Sequence, residues 1–224
     1  MKGFFYGMKF VLKKSLILLK KIQQLMKNMK TNIFSLIFLG LSTLSFAQLE
    51  FGVKAGGGIS NTTIVHGISK ERIGFLAGAV AKYPLTTKNE NHYIQAEALY
   101  TNQGEFGVQK GGEKYKAFVN YISVPIMYKY YFDDQGKDFF LEAGPQFGFK
   151  VSDNMEQVDE NLGRQLKPKS FDFALNIGGG YSLNRQYEIN IRYQYGLSDT
   201  YDSDWEADTN RSSLLSLGVT YFFK

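Results

Sequence analysis

The sequence predicts an all-β protein: an eight-stranded antiparallel up-and-down β-barrel of the transmembrane kind, preceded by an export leader. Three observations predict it. Large apolar residues alternate with polar residues or glycine through eight segments of similar length, the connections between those segments alternate short and long, and an apolar secretory leader precedes the first of them.

The leader separates first, on charge. Residues 1–47 hold eight Lys, no Arg and no acid; removing those eight from the 26 basic residues leaves 18 against 21 acids, formally −3. The formal +5 of the whole chain therefore belongs to the leader, and the composition gives no support to a nucleic-acid partner. From Met26 the chain reads MKNMKTNIFSLIFLGLSTLSFAQ, with Lys27 and Lys30 before an apolar run over 33–44 and then Ser45-Phe46-Ala47. That is the order of a secretory signal peptide, with cleavage expected after Ala47. The run is shorter than the ~20 apolar residues a membrane-spanning helix needs. Residues 1–25 are basic and loosely amphipathic. They read as an over-extended start upstream of Met26 or Met29, or as a basic leader able to lie on a membrane surface. The expected division is thus 1–25 as over-extended start, 26–47 as signal peptide and 48–224 as the barrel domain.

Composition suits strands. The chain is 44% hydrophobic and 16% aromatic, with Gly 23, Phe 19 and Tyr 15 against Pro 4 and one Trp, a balance that favours strands and turns over helices. Cys 0 removes disulfides, thiol nucleophiles and a lipidated N-terminal cysteine.

Residues 49–60 form the first segment, with Lys54 on its polar side and a Gly56-Gly57-Gly58 run that lacks a phosphate-loop lysine and reads as strand bending. The second, 73–83, has Lys82 on the polar side but also Leu76 and Val80. The third, 92–102, contributes Glu97. The fourth, 118–132, contributes Lys129 beside Met127 and Pro125, and a proline inside a strand suggests a bulge. The fifth, 139–151, is FFLEAGPQFGFKV, with Glu142 and Lys150. The sixth, FDFALNIGGGYSL over 171–183, sets Phe171, Phe173, Leu175, Ile177, Tyr181 and Leu183 against Asp172, Asn176 and Ser182. In the seventh, 187–198, Tyr187, Ile189, Ile191, Tyr193, Tyr195 and Leu197 oppose Glu188, Asn190, Arg192 and Gln194. This is period two, the signature of a strand with two unlike faces. The last, 214–223, must pair with the first, because an open edge in hydrocarbon leaves backbone groups unpaired.

The short connections are 84–91, 133–138 and 184–186; the long ones are 61–72, 103–117, 152–170 and 199–213. If strands run up and down, all short turns fall at one end, the arrangement of bacterial outer-membrane barrels with periplasmic turns and extracellular loops. The apolar face then points to lipid, and Lys54, Lys82, Glu97, Lys129, Glu142, Lys150, Asp172, Glu188 and Arg192 line the interior. Tyr83, Tyr93, Phe132, Phe139, Tyr181, Tyr187, Tyr221 and Phe223 flank the short-turn end and read as an interfacial aromatic girdle. Tyr100, Phe118, Tyr121, Phe149, Phe171 and Tyr195 form a sparser set at the loop end.

Catalysis has little material, and no catalytic residue or cofactor is expected. The two histidines, His66 in a long loop and His92 at a short turn, fall on opposite sides of the membrane, so no two-His metal site forms. An outer-leaflet enzyme would have to be built on His66. Asp202, Asp204, Glu206 and Asp208 in DSDWEAD supply oxygen ligands of the kind Ca²⁺ uses, but Ala207 and Ser213 stand where an EF-hand needs Gly and Glu, so they read as a solvated acidic loop with a weak calcium alternative.

The last strand LLSLGVTYFFK, the exported leader, and QAEALYTNQG and NYISVPIMYKYYF resemble the PorT-like outer-membrane β-barrel family of Bacteroidota, often labelled the porin family. The resemblance covers most of 48–224. It implies an outer-membrane location, contact with outer-membrane lipid and lipopolysaccharide, and handling by the barrel-assembly machinery. Similar barrels end in an aromatic residue; here Phe223 is penultimate and Lys224 follows. Eight strands enclose an interior just wide enough for side chains. The expected function is accordingly a non-enzymatic scaffold presenting loops for envelope integrity or surface interaction; the alternative is a narrow pore or an accessory barrel of a transport or secretion system.

Overall fold

A computed structural model describes residues 48–63, 69–85, 91–108, 114–133, 137–155, 167–202 and 211–223. The leader, with its expected signal peptide, lies outside the described residues, as does His66. The described residues form ten strands in order: β1 (Glu50–Thr63), β2 (Ser69–Pro84), β3 (His92–Val108), β4 (Lys114–Tyr131), β5 (Lys137–Met155), β6 (Lys167–Pro168), β7 (Phe171–Leu183), β8 (Tyr187–Asp199), β9 (Tyr201–Asp202) and β10 (Arg211–Phe222). Eight of them close into an antiparallel barrel in the order β1-β10-β8-β7-β5-β4-β3-β2, and β6 and β9 form a separate two-stranded ladder. The seal is the pairing of β1 with β10, continuous in register from Gly52↔Phe222 to Thr63↔Arg211.

Alternation decides which face goes where. On β8, Ile189 and Ile191 are exposed on the outer wall while Glu188, Asn190, Arg192 and Gln194 are buried, and the same division runs through β5, β7 and β10. Ile191 is 59% exposed and Ile177 64%, whereas the charged Arg192 is 5% exposed and Glu97 2%. A continuous apolar wall around a polar interior is the reverse of a water-soluble sheet, which packs its apolar face inward.

Several strands outrun their apolar alternation. β3, β4 and β5 have 17, 18 and 19 residues, against the ~9–11 a tilted strand needs to cross a bilayer. The excess lies mainly at the long-loop end. The outward positions turn polar at Asn102, Asn120 and Ser152, which hydrogen-bond in a row across β3, β4 and β5 (Asn102 Nδ2 to Asn120 Oδ1 2.7 Å, Asn120 Nδ2 to Ser152 Oγ 2.9 Å). Backbone pairing continues beyond that row to Val108↔Lys114. The expected boundaries at residues 102 and 118 therefore marked the end of lipid contact, and the hydrogen-bonded sheet extends past it.

The bulge expected at Pro125 lies elsewhere. β4 and β5 keep one register on both sides of it, Pro125↔Gln146 and Tyr128↔Ala143. The register shifts fall at the long-loop end instead, at Glu71/Leu76, Asn120/Tyr121 and Arg211/Ser213. At the opposite end the turn from Leu183 to Gln186 is closed by Gln186 N–H to Leu183 O (3.1 Å). Its central residues Asn184 and Arg185 have φ of 55° and 56°, the sign pair of the tight hairpin turns that match strand twist. Asn tolerates this conformation; a bulky Arg adopts it only under outside constraint.

Two aromatic assignments are corrected. Phe132, Phe139, Tyr187 and Phe223 are exposed on the outer wall, Phe139–Tyr181 (5.1 Å) and Tyr187–Tyr221 (5.0 Å) pair ring against ring at the short-turn end, and Tyr83, beside the short connection 84–91, is half-buried. Tyr93, however, is buried in the barrel with Tyr131 and Phe140, and Tyr121 of the loop-end set is buried as well. Period two required both: Tyr93 shares the parity of Glu97 on β3, and Tyr121 that of Lys129 on β4.

Ile191, opposite Leu217 and Gly179 on its neighbours, lies well inside the apolar band. Ile191→Arg is expected to destabilise the barrel in phospholipid vesicles by about 2–4 kcal/mol, read from reversible urea unfolding. No loss of stability in lipid would contradict a hydrocarbon-facing wall at this position.

Candidate functional site

The lumen is filled in layers, and β8 contributes to each of the lower three, through Glu188, then Asn190 and Arg192, then Gln194. Nearest the short turns, Tyr93, Tyr131 and Phe140 cluster with Phe222 nearby. Lys82 Nζ lies 4.0 Å from the Phe222 ring centroid and Lys129 Nζ 4.2 Å from that of Phe140, cation–π distances in a dry interior. Both lysines converge on Glu188, Lys129 at 2.6 Å and Lys82 at 3.4 Å, and the Tyr131 hydroxyl donates to the same carboxylate. Lys82 also reaches Glu50 at 3.5 Å. Below this layer Arg185 stacks on Tyr131 with Cζ 3.6 Å from the ring centroid, pairs with Asp138 at 3.2 Å and donates to Asp133 O at 2.5 Å. These contacts hold Arg185 in its left-handed conformation at the mouth of the barrel.

The second layer is centred on Arg192. Its two terminal nitrogens donate to the two oxygens of Glu97 at 2.8 Å each, a bidentate pair, and Nε donates to Glu142 Oε1 at 2.9 Å. Lys54 approaches Glu97 at 3.4 Å, Lys129 approaches Glu142 at 3.7 Å, and Gln95 and Asn190 add amide donors at 2.6 and 2.7 Å. Gly178, in the second triple-glycine run, makes room for this layer: a Cβ there would stand 2.6 Å from Ile191 O and 3.2 Å from the Glu142 carboxylate. Bases and acids balance, with Lys54, Lys82, Lys129 and Arg192 facing Glu97, Glu142, Glu188 and the half-buried Glu50.

Above the charges comes an amide layer. Gln146 donates to Gln194 at 2.8 Å, Asn176 to Gln146 at 3.2 Å and Gln194 to Gln103 at 3.4 Å, with Thr101 and Ser123 in contact at 2.9 Å. The top layer is apolar again: Ala117, Val119 and Tyr121 of β4 pack with Tyr201, and Met155 packs against them. Tyr201 belongs to β9, held by the Pro168↔Tyr201 and Lys167↔Asp202 pairs with β6. A short ladder built from two different long connections thus brings an aromatic ring over the lumen.

Of the nine interior positions read from the sequence, Lys54, Lys82, Glu97, Lys129, Glu142, Glu188 and Arg192 meet in the lower two layers. Asp172 is buried higher up, where Ser198 Oγ donates to it at 3.0 Å. Lys150 stands apart at the mouth, its side chain 23% exposed and paired with Asp153 at 2.6 Å. The amide layer, Tyr131, Arg185 and Tyr201 were not singled out in the sequence. Gln194 and Asn176 carried the polar-face parity, whereas Gln103 and Tyr201 lay in stretches read as loops. The candidate cation ligands Asp204, Glu206 and Asp208 lie outside the described residues, as does the side chain of Asp202. Among the described residues no group of three or more His, Asp or Glu side chains could hold a metal ion.

Taking Arg192 away leaves two buried carboxylates facing each other. Arg192→Met is expected to cost about 3–5 kcal/mol, the penalty for breaking a buried ion pair by removing one partner. Adding Glu97→Gln and Glu142→Gln to Arg192→Met is expected to recover part of the loss, measured as urea midpoints of the refolded barrels.

Among solved structures, the fold is similar to Neisserial surface protein A (NspA), at 17% identity over 77% of this chain and 97% of that one, TM-score 0.46. It is similar also to Ail, the attachment invasion locus protein of Yersinia pestis (14% identity, 79% and 99% covered, TM-score 0.45), and to OprG from Pseudomonas aeruginosa (13%, 78% and 94%, TM-score 0.45). No curated protein matches significantly in sequence. The family described as outer membrane protein beta-barrel domain matches residues 46–202, and together with the closed eight-stranded barrel around a charged interior this makes the chain a member of that family, an integral β-barrel protein of the bacterial outer membrane.

Proposed function

We propose that the protein is a non-enzymatic scaffold with an occluded lumen, which presents its long-loop end at the cell surface for envelope integrity or surface interaction. The observation that carries this reading is the filling of the lumen: four bases and four acids neutralise one another in place, between an Arg185 plug at one mouth and a Tyr201 ring at the other. Each lower-layer carboxylate is engaged by at least one base, so it is held for structure and not poised for proton transfer. Within the family, LLSLGVTYFFK and NYISVPIMYKYYF favour the PorT-like barrels of Bacteroidota. The apolar outer wall and its aromatic ends suit outer-membrane lipid and lipopolysaccharide as surroundings, with the barrel-assembly machinery acting during biogenesis.

The rival reading is a narrow pore or an accessory barrel of a transport or secretion system, and conductance separates the pore version. Purified barrel in planar bilayers is expected to give no steady current. A stable open level from the wild type would replace the scaffold with the pore. Tyr201→Ala together with Arg185→Gly is expected to leave the membrane silent too, because the Arg192 and amide layers still fill the bore.

A further inference from the structure

The outer wall is apolar throughout but not even in relief. Near the short-turn end Ala143 of β5 carries only a methyl group between Tyr128 of β4 and Ile177 of β7, its partners on either side. Leu141 leans the other way: its Cδ2 lies 3.1 Å from where Gly179, which has no side chain, would carry a Cβ. The result is an open groove of about 630 Å³ whose lining includes His92, Tyr128, Tyr130, Leu141, Ala143 and Ile177. Its volume falls within the range of about 300–1,000 Å³ typical of small-molecule clefts. The groove starts one residue pair inside the aromatic ring at Phe132 and Phe139 and runs toward the middle of the apolar band.

One end of this hydrocarbon-facing groove is polar. His92 Nδ1 and the Tyr128 hydroxyl are 2.6 Å apart on the outer surface, with the Tyr130 ring 5.0 Å from the imidazole. Among the described residues Nε2 of His92 has no hydrogen-bond partner. A polar donor at the level of the lipid headgroups, continuous with an apolar trough leading into the hydrocarbon, is complementary to one kind of molecule: a lipid with an anionic or ester-bearing head and a long chain. A second copy of the barrel would offer a convex wall, which meets the rims of such a trough but not its floor.

We propose that this groove is a binding site for one phospholipid of the periplasmic leaflet. One acyl chain lies over Ala143 between Tyr128 and Ile177, and His92 Nε2–H donates to the glycerol ester or phosphate. The site is separate from the lumen and holds whether or not the lumen conducts.

The test uses the refolded barrel in phospholipid nanodiscs doped with phosphatidylethanolamine carrying a photoactivatable diazirine on one acyl chain. Adducts are expected on Tyr128, Leu141, Ala143 and Ile177 at about tenfold the density on far-wall residues such as Val53 and Val219, the ratio a preference of about 1.4 kcal/mol gives. Ala143→Trp fills the trough and is expected to reduce those adducts to the far-wall level. His92→Ala is expected to keep the chain adducts while abolishing the preference for the phospholipid probe over a diacylglycerol probe without phosphate. Adducts spread evenly around the wild-type wall overturn the proposal, as does chain labelling unchanged by Ala143→Trp or dimers cross-linked through residue 143. If Ala143→Trp does not fold, the wild-type distribution and the His92→Ala comparison decide alone.

Discussion

A peptide group in hydrocarbon has no water to turn to. Every N–H and C=O left without a partner there costs several kcal/mol, and the rest of this structure follows from meeting that demand with strands. The pairing of β1 with β10 over twelve consecutive residue pairs leaves no rim in the barrel. Prolines show how firmly the ladder is held. Pro125 and Pro145 sit on neighbouring strands, Pro145 one position from Pro125's partner Gln146, and the register passes them without slipping.

Closure at eight strands then fixes the bore, and the bore fixes the chemistry inside it. Side chains that point inward have no bulk water to solvate them, so each charge must find its opposite within reach. Arg192 answers two carboxylates at once, bidentate to Glu97 and through Nε to Glu142, and Glu188 takes two lysines and a tyrosine hydroxyl. Such pairs are weak evidence of net stability against an apolar filling, but removing one member is costly, so the network is a commitment to a single arrangement. Lysines laid against Phe222 and Phe140 complete that arrangement where no further carboxylate is available.

Much of this was legible in the residues, and the misses share a cause. Period two placed Lys54, Glu97, Glu142, Glu188 and Arg192 on one face of the wall, because lipid contact writes a strict alternation into the chain. Tyr93 and Tyr121 were misplaced by their residue type: aromatic rings suggest the membrane interface, but parity outranks type, and both point inward with Glu97 and Lys129. The strand ends were read short wherever the apolar signal stopped. Gln103, Glu105 and Ser152 lay in stretches read as loops yet continue the sheet above the membrane, where water can satisfy polar side chains and alternation is no longer required. Arg185 and Tyr201 had no period to reveal them. Their positions come from contacts between segments far apart in sequence, Arg185 with Tyr131 and Tyr201 with the β4 cluster of Ala117, Val119 and Tyr121.

The same economy assigns the remaining variety of the molecule to its outside. The inward positions of the eight-stranded barrel are committed to paired charges and interlocked amides, so the surfaces free to differ are the two ends and the lipid-facing wall. Along the wall, difference takes the form of relief, since almost every exposed position must be apolar: a methyl at Ala143 between Tyr128 and Ile177, a bare backbone at Gly179 between Leu141 and Ile191. His92 is an exception to that chemistry, an imidazole on the outer surface at the level where rings give way to headgroups. A polar side chain turned toward a membrane finds a partner either in the protein or in the lipid, and among the described residues the protein supplies one only for Nδ1.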